Sequence, residues 1–322
     1  MNKDLKRFGI TTLIALAVFI IADIIFGYFA DKTMERLPDF CEQLAKDNYR
    51  LHRMTEDVVI IGSSRGSHHY VSSQLRDSLE KNFEQHFSVY NAAIDGKLAN
   101  SNSCAAEAII ERYSPKLVIF DISESQLKSD NIYDIEFGSP YYWKDSIVRR
   151  YIDDLGLKER ILMKSSFYRY NGKIFRIISS FIRTVSYDDG YEPLYGATVD
   201  STLRAHSETP HKDFNQYSLK NFENVLKKYK SKKIPLIIAC SPSFRPNDNN
   251  ARLKELCEKY DRPFIDMYDE EYFNNHPELF DDVTHLNDAG AHVFTGMFFE
   301  RLAKSLSDDF KCHDSCRHAD VE

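Results

Sequence analysis

Apolar residues along the chain fall into two alternating patterns. Five short, mostly apolar runs, at 58–62, 88–92, 117–122, 234–240 and 263–266, read as strands, and the Val and Ile content of several is that of strands buried on both faces. Between them, apolar positions recur every three or four residues at 71–82, 99–112, 215–231, 251–260 and 288–306, which predicts helices. In the last of these, Ala291, Phe294, Phe298, Leu302 and Leu306 fall at helical spacing. Strand–helix alternation implies right-handed crossovers, and so an α/β domain over 55–308 with a central parallel sheet of about five strands and helices on both faces. One segment breaks the rhythm. Residues 128–211 separate the third and fourth strands by more than 80 residues, and read as a partly helical insertion emerging near the carboxyl ends of the strands. Ligands bind at that edge in open α/β sheets, so the insertion is either a cap over a site or a peripheral decoration.

The pattern changes again at the N-terminus. From 8 to 30, "FGITTLIALAVFIIADIIFGYFA", the 23 residues carry a single charge, Asp23. At ~1.5 Å rise per residue they span roughly 34 Å, enough to cross a bilayer. Lys3, Lys6 and Arg7 come just before, so the positive-inside rule predicts a cytoplasmic tail at 1–7, a single-pass transmembrane anchor at 8–30, and an extracytoplasmic remainder. The run is longer than the apolar core of a cleaved signal, and Tyr28-Phe29-Ala30 lacks the small residue a cleavage site requires, which favours an uncleaved anchor. Residues 9–22 are uncharged and offer no polar face for a buried amphipathic helix. Asp23 either marks a partner helix in the membrane or is tolerated by snorkelling. Residues 31–54, charged with scattered apolar positions, read as a linker helix, and 309–322 as a C-terminal tail.

Composition narrows the classes. The 322 residues carry a net charge of −7 with basic residues spread along the chain, so no nucleic-acid partner is expected. Six cysteines (Cys41, Cys104, Cys240, Cys257, Cys312, Cys316) do not make a disulfide scaffold at this length. Cys312 and Cys316 with His313 and His318 look like half of a zinc site, but no second pair completes it, and a near-terminal disulfide or free thiols is the preferred reading. No cofactor or metal is expected.

Two stretches carry chemistry. In "VVIIGSSRGSHHYV", 58–71, Ser64 lies just past a buried strand, and Gly62 permits a sharp exit that would expose the serine at the sheet's carboxyl edge. Alone, such a serine is usually a turn or cap residue. In "LFDDVTHLNDAGAHVF", 279–294, Asp282 and His285 are separated by two residues just before a helix whose N-cap is Asn287 or Asp288. That spacing lets a carboxylate reach imidazole Nδ1 and leave Nε2 free to take a proton. A lone Asp-x-x-His is more often a surface turn; the combination with Gly-x-Ser changes the balance. Adjacent His68 and His69 point about 100° apart on a helix and do not readily chelate one metal. His68 is placed at the mouth of the pocket, and Arg65 is a candidate for binding an anionic substrate group or is simply solvated.

In these residues the chain resembles the SGNH (GDSL-type) hydrolases. Gly62-Ser63-Ser64 matches their first block with Ser in place of Asp, and Asp282, His285 and Gly290 match their last. The resemblance implies a three-layer, flavodoxin-like α/β/α fold, with Ser64 as nucleophile, His285 as general base and Asp282 as its orienting carboxylate. It implies oxyanion donors at Ser64 and at Gly96 of "YNAAIDGKLAN"; where the family carries Asn after the third strand this chain has "DISES", with Ser123 or Ser125 as the substitute donor. The expected function is an extracytoplasmic serine esterase or O-acyltransferase acting on a small acyl group, acetyl first, of a cell-envelope glycan. The alternative is a catalytically weak or inactive domain that binds acylated polymer or partners a membrane acyltransferase. A third is a structural anchor with no site.

Overall fold

The computed structural model describes residues 3–37, 43–182, 189–196, 212–245 and 250–306. In chain order the elements are α1 (Lys3–Met34), α2 (Gln43–His52), β1 (Val58–Ile61), α3 (Ser64–His69), α4 (Ser72–Phe83), β2 (Val89–Asn91), α5 (Ala99–Arg112), β3 (Leu117–Asp121) and α6 (Glu124–Leu127). The insertion follows with a 3₁₀ stretch, Ile132–Tyr141, then α7 (Ser146–Asp153), α8 (Leu157–Leu162), α9 (Ser166–Arg169) and α10 (Ile174–Ile182). The domain resumes with α11 (Gln216–Ser231), β4 (Leu236–Cys240), α12 (Ala251–Lys259), β5 (Phe264–Asp266), α13 (Glu271–Asn274), a 3₁₀ turn Pro277–Leu279 and α14 (Asp288–Leu306).

The five strands form one sheet in the order β2-β1-β3-β4-β5. Every pairing is parallel, with Ile61 opposite Phe120 and Asp121 opposite Ala239. Alternation along each strand sends side chains to two cores. Val59, Ile61, Val118, Phe120, Leu236 and Ile238 pack with Ile109 of α5, Phe222 and Leu226 of α11 and Leu253 of α12. Val58, Ile60, Leu117, Ile119 and Ile237 face the other way, onto Leu75 and Leu79 of α4 and Phe294, Phe298 and Leu302 of α14. Each such side chain contributes about 1.5–3 kcal/mol by burial. The fold is thus the expected three-layer α/β/α arrangement, with one N-terminal apolar helix long enough to cross a membrane.

The helix α1 runs on to Met34, past the expected end of the anchor, and α2 is more than a connector. Its Lys46, Asp47 and Arg50 are buried, and Arg50 pairs with Asp47 at 2.8 Å. The helical part of the insertion packs on the side of α5, where Ile135, Val148, Tyr151, Ile152 and Ile177 share a core with Cys104 and Ala108 and with Ala30 and Met34 of α1. Cys104, Cys240 and Cys257 are free and buried, whereas Cys41 and the 312–318 cluster lie outside the described residues.

Candidate active site

Ser64 begins α3 immediately after β1, with Ser63 as the extended N-cap residue. The sequence reading gave Gly62 conformational freedom as its task, but Gly62 is not among the glycines with positive φ. Its role is space. A Cβ there would lie 3.1 Å from both the Cβ and the carbonyl oxygen of Asp121, and one on Gly66 would lie 2.8 Å from the Cβ of Ala93. The missing side chains let α3 sit directly over the carboxyl edge of β1, β2 and β3. Asn91, at the end of β2, braces it by donating from Nδ2 to the carbonyls of Gly66 and Tyr70, at 2.8 and 3.1 Å.

The loop before α14 brings the other two residues to Ser64. Asn287 caps α14, its Oδ1 accepting from the Gly290 N–H at 3.0 Å. Five residues earlier, Asp282 Oδ1 accepts from the N–H groups of Thr284 and His285, at 2.7 and 2.9 Å, which folds the loop tightly. The His285 ring follows: Nδ1 lies 2.8 Å from Asp282 Oδ2, and Nε2 lies 2.7 Å from Ser64 Oγ. A carboxylate only accepts, so Nδ1 carries the proton and donates it, which leaves the Nε2 lone pair facing the serine hydroxyl. Burial alone would raise the pKa of Asp282; the bonds from His285 and Thr284 outweigh it and hold it at about 2. The arrangement can deprotonate a hydroxyl, stabilise the imidazolium that forms, and return the proton.

The paired histidines diverge to support this loop. His69 is fully buried, and burial, reinforced by the charges of His285 and Arg65, pushes its pKa well below the ordinary value. It is therefore neutral, and its Nε2 accepts from the Leu286 N–H at 2.9 Å, next to His285. His68 turns the other way. Its Nδ1 meets the Glu192 carbonyl at 2.6 Å and its Nε2 meets Asp95 Oδ2 at 3.1 Å. Burial opposes charge on this ring, but the bond and attraction from Asp95 and the Glu192 carbonyl prevail and raise its pKa. Acceptors at both nitrogens favour the charged ring, whose centroid lies 5.6 Å from that of His285.

The remaining expected residues sort as follows. Gly96 occupies a left-handed turn at φ 71° with open space around it. Ser123 is buried at the carboxyl end of β3, and its Oγ lies 2.9 Å from Ser125 Oγ. Arg65 does not reach into solvent: it is buried, its guanidinium donating to the Ser241 carbonyl at 3.0 Å and stacking 5.0 Å from the Tyr268 ring. It braces β4 against α3 and is not placed to meet a substrate anion, a correction that follows from the apolar cost of leaving it unpaired.

Among the described residues of the insertion, 189–196 reach this site. The Asn91 N–H donates to the Asp189 carbonyl at 2.8 Å, Glu192 N–H to Ser67 at 3.1 Å, and Asp288 N–H to Leu194 at 2.7 Å. From α2, the buried Lys46 ammonium donates to the Gly190 carbonyl and the Glu192 carboxylate, at 2.7 and 3.0 Å. Sequence reasoning missed Lys46, Glu192 and Asp95 because each works through a fold-dependent contact, and missed Thr284 although its bonds to Asp282 and His285 are local. Among the described residues, His68, Asp95 and Glu192 are the group near enough for a metal ion, their ligand atoms lying within 4.8 Å of one another. Within it His68 Nε2 meets Asp95 Oδ2 and the Lys46 ammonium meets the Glu192 carboxylate, while Asp95 Oδ1 is buried without a hydrogen-bond partner.

No protein-family model and no curated protein matches the chain. Two solved structures are similar to it at low score. A two-domain esterase active on acetylated mannans shares 14% identity over 79% of this chain and 50% of its own, with a TM-score of 0.41. A gut microbial diltiazem-metabolizing enzyme shares 12% over 76% of this chain and 46% of its own, with a TM-score of 0.39. The chain spans about half the length of each of these proteins.

Proposed function

We propose that the protein is a serine esterase or O-acyltransferase, held to a membrane by α1 with its α/β domain on the extracytoplasmic side. The observation that carries this reading is the relay in which Asp282 orients His285 and His285 Nε2 faces Ser64 Oγ at 2.7 Å. In the reaction, Ser64 Oγ attacks the ester carbonyl while its proton passes to Nε2. The tetrahedral oxyanion is met by the backbone N–H groups of Ser64 and Gly96 and by a hydroxyl from Ser123 or Ser125. Collapse expels the alcohol, which takes the proton from His285 and leaves an acyl-Ser64 intermediate. Water or an acceptor hydroxyl then gives its proton to His285, attacks the acyl carbon and releases Ser64. The choice between the two separates hydrolysis from transfer.

The substrate class is an acetylated carbohydrate of the cell envelope. This follows from the resemblance in the first and last blocks together with the anchor, not from a sugar-binding motif. A second reading has one observation in its favour: the Ser123 and Ser125 hydroxyls are engaged with each other at 2.9 Å, which weakens them as oxyanion donors. On that reading the domain binds acylated polymer or partners a membrane acyltransferase. A serine-reactive fluorophosphonate separates the two. Labelling that maps to Ser64 and disappears in Ser64→Ala is the result expected of the enzyme; an intact protein that does not label is a binding domain.

A further inference from the structure

The insertion carries an apolar face that the α/β domain leaves uncovered. In α10, Ile174, Phe175, Ile178, Phe181 and Ile182 lie at i, i+1, i+4, i+7 and i+8, which places them on one side of the helix. The adjoining edge is used: Ile177 packs in the core shared with Ala30 and Met34 of α1, and Ile174 packs partly against it. On the exposed side Phe175 is 84% and Ile182 75% exposed, and α8, in the same insertion, also exposes Leu157 at 71% and Ile161 at 55%. A soluble domain rarely leaves a patch of this kind bare.

The position of α9 shows what lies beside it. Phe167 stacks against α1, its ring 5.4 Å from Phe19 and 4.8 Å from Phe26, and Tyr170 meets Phe26 edge-on at 5.9 Å. Asp23, in the middle of the apolar run, accepts from Ser165 Oγ and from the N–H groups of Ser166 and Phe167, at 2.8, 2.9 and 2.7 Å. The approach is close enough that a Cβ on Gly27 would lie 2.1 Å from Ser166 Oγ. The opposite side of α1 stays apolar and exposed along the same levels, through Ile20, Ile24, Ile25 and Phe29. A hydrocarbon core about 30 Å thick takes up about 20 helical residues. An α1 that crosses it from residue 8 therefore has Phe19 to Phe26 in its outer half, and α9 docks at that depth. The carboxylate of Asp23 is then not orphaned in lipid, because the insertion brings its three donors with it.

Charge agrees with this placement. From 157 to 182 the chain has six basic residues (Lys158, Arg160, Lys164, Arg169, Lys173, Arg176) and one acidic residue, Glu159. Glu159 is buried. An apolar face edged with Lys and Arg fits the boundary between acyl chains and anionic headgroups.

We propose that α8 and α10 form a second membrane contact, lying in the outer boundary of the bilayer beside α1, with anionic phospholipid as the partner. This rests on the reading of α1 as an anchor and is independent of the chemistry at Ser64. The test uses the full chain reconstituted in vesicles of phosphatidylcholine with phosphatidylglycerol. The single tryptophan is removed as Trp143→Phe. One reporter, Leu13→Trp, reads the anchor, and two others, Phe175→Trp and Ile182→Trp, read the face. The expected result is strong quenching of the Leu13→Trp variant by lipids with a nitroxide deep in the acyl chain. The two face variants should be quenched by nitroxides within about 10 Å of the headgroups and lose quenching by acrylamide. If Leu13→Trp is quenched while both face variants stay open to acrylamide, the face is free and the proposal falls alone. If neither quencher reaches them, a second copy of the chain covers the face, and it falls equally. If Leu13→Trp itself escapes deep nitroxides, the anchor reading fails and takes this one with it.

Discussion

At the carboxyl edge of β1 polar side chains are buried in chains of hydrogen bonds, while on α10 apolar side chains stand exposed. The two regions specify different things. Around Ser64, every bond named above narrows the position of one of three atoms, and a buried polar group is tolerated only where its partner is in place. On the insertion Phe175 and Ile182 stand largely exposed among the described residues, so this face is defined by its surroundings. One region encodes a geometry, the other an environment.

The largest effects belong to the first region. With an activated acetyl ester as substrate, His285→Ala and Asp282→Asn are each expected to lower kcat by about 10⁴-fold, the second because the wrong tautomer of the imidazole is then favoured. Circular dichroism should show the fold unchanged. Undiminished turnover in either variant would remove the distinction drawn here, since the bonded cluster would then be structural packing. An intermediate effect belongs to the strap joining the regions. Gly190 adopts φ 87°, and a Cβ there would lie 2.2 Å from the Asn91 carbonyl oxygen. The variant Gly190→Ala should destabilise the protein by about 1–3 kcal/mol. It should also lower kcat/KM, because Asp189 and Glu192 flank Asn91 and His68; chemical denaturation and kinetics measure the two separately. The smallest effect sharpens the contrast. In detergent, Phe175→Ser combined with Ile178→Ser should change stability by no more than about 0.5 kcal/mol and leave turnover of a soluble ester as it was. A larger loss would mean that the face is covered by the chain itself.

How much of this was readable from sequence differs between the same two regions. The sheet was legible because strands buried on both faces must be apolar throughout, as Val58 to Ile61 and Leu117 to Phe120 are. Asp282 and His285 were legible because their contact is local, and Ser64 because it follows a strand end. The work of His69 was not, since the N–H it accepts belongs to Leu286, over two hundred positions away. Charge misled twice. Lys46, Asp47 and Arg50 made 31–54 look like a solvated connector, yet they are buried: Asp47 and Arg50 pair with each other along α2, and Lys46 meets Glu192 only once the fold is formed. Arg65 looked available for a substrate for the same reason. The apolar spacing of 174–182 was visible, but amphipathicity states that a face needs cover without saying what supplies it.

The coupling of Asp23 to the start of α9 has a consequence for reach. A catalytic domain hung from a membrane helix by a loose chain explores a volume, and its site visits many heights above the lipid. Here the helix is gripped through Asp23, Gly27, Ala30 and Met34 by the insertion, and the insertion shares its core with α5 of the catalytic layer. This packing ties the helix to the domain. With α1 in the bilayer, Ser64 stands at one altitude, sweeping a plane parallel to the membrane as the protein diffuses. For the proposed esterase, esters carried at that altitude would be met repeatedly, and the same ester free in bulk solution or attached well above it would be met seldom. Position along the membrane normal then acts as a filter on substrates, separate from any shape the pocket presents.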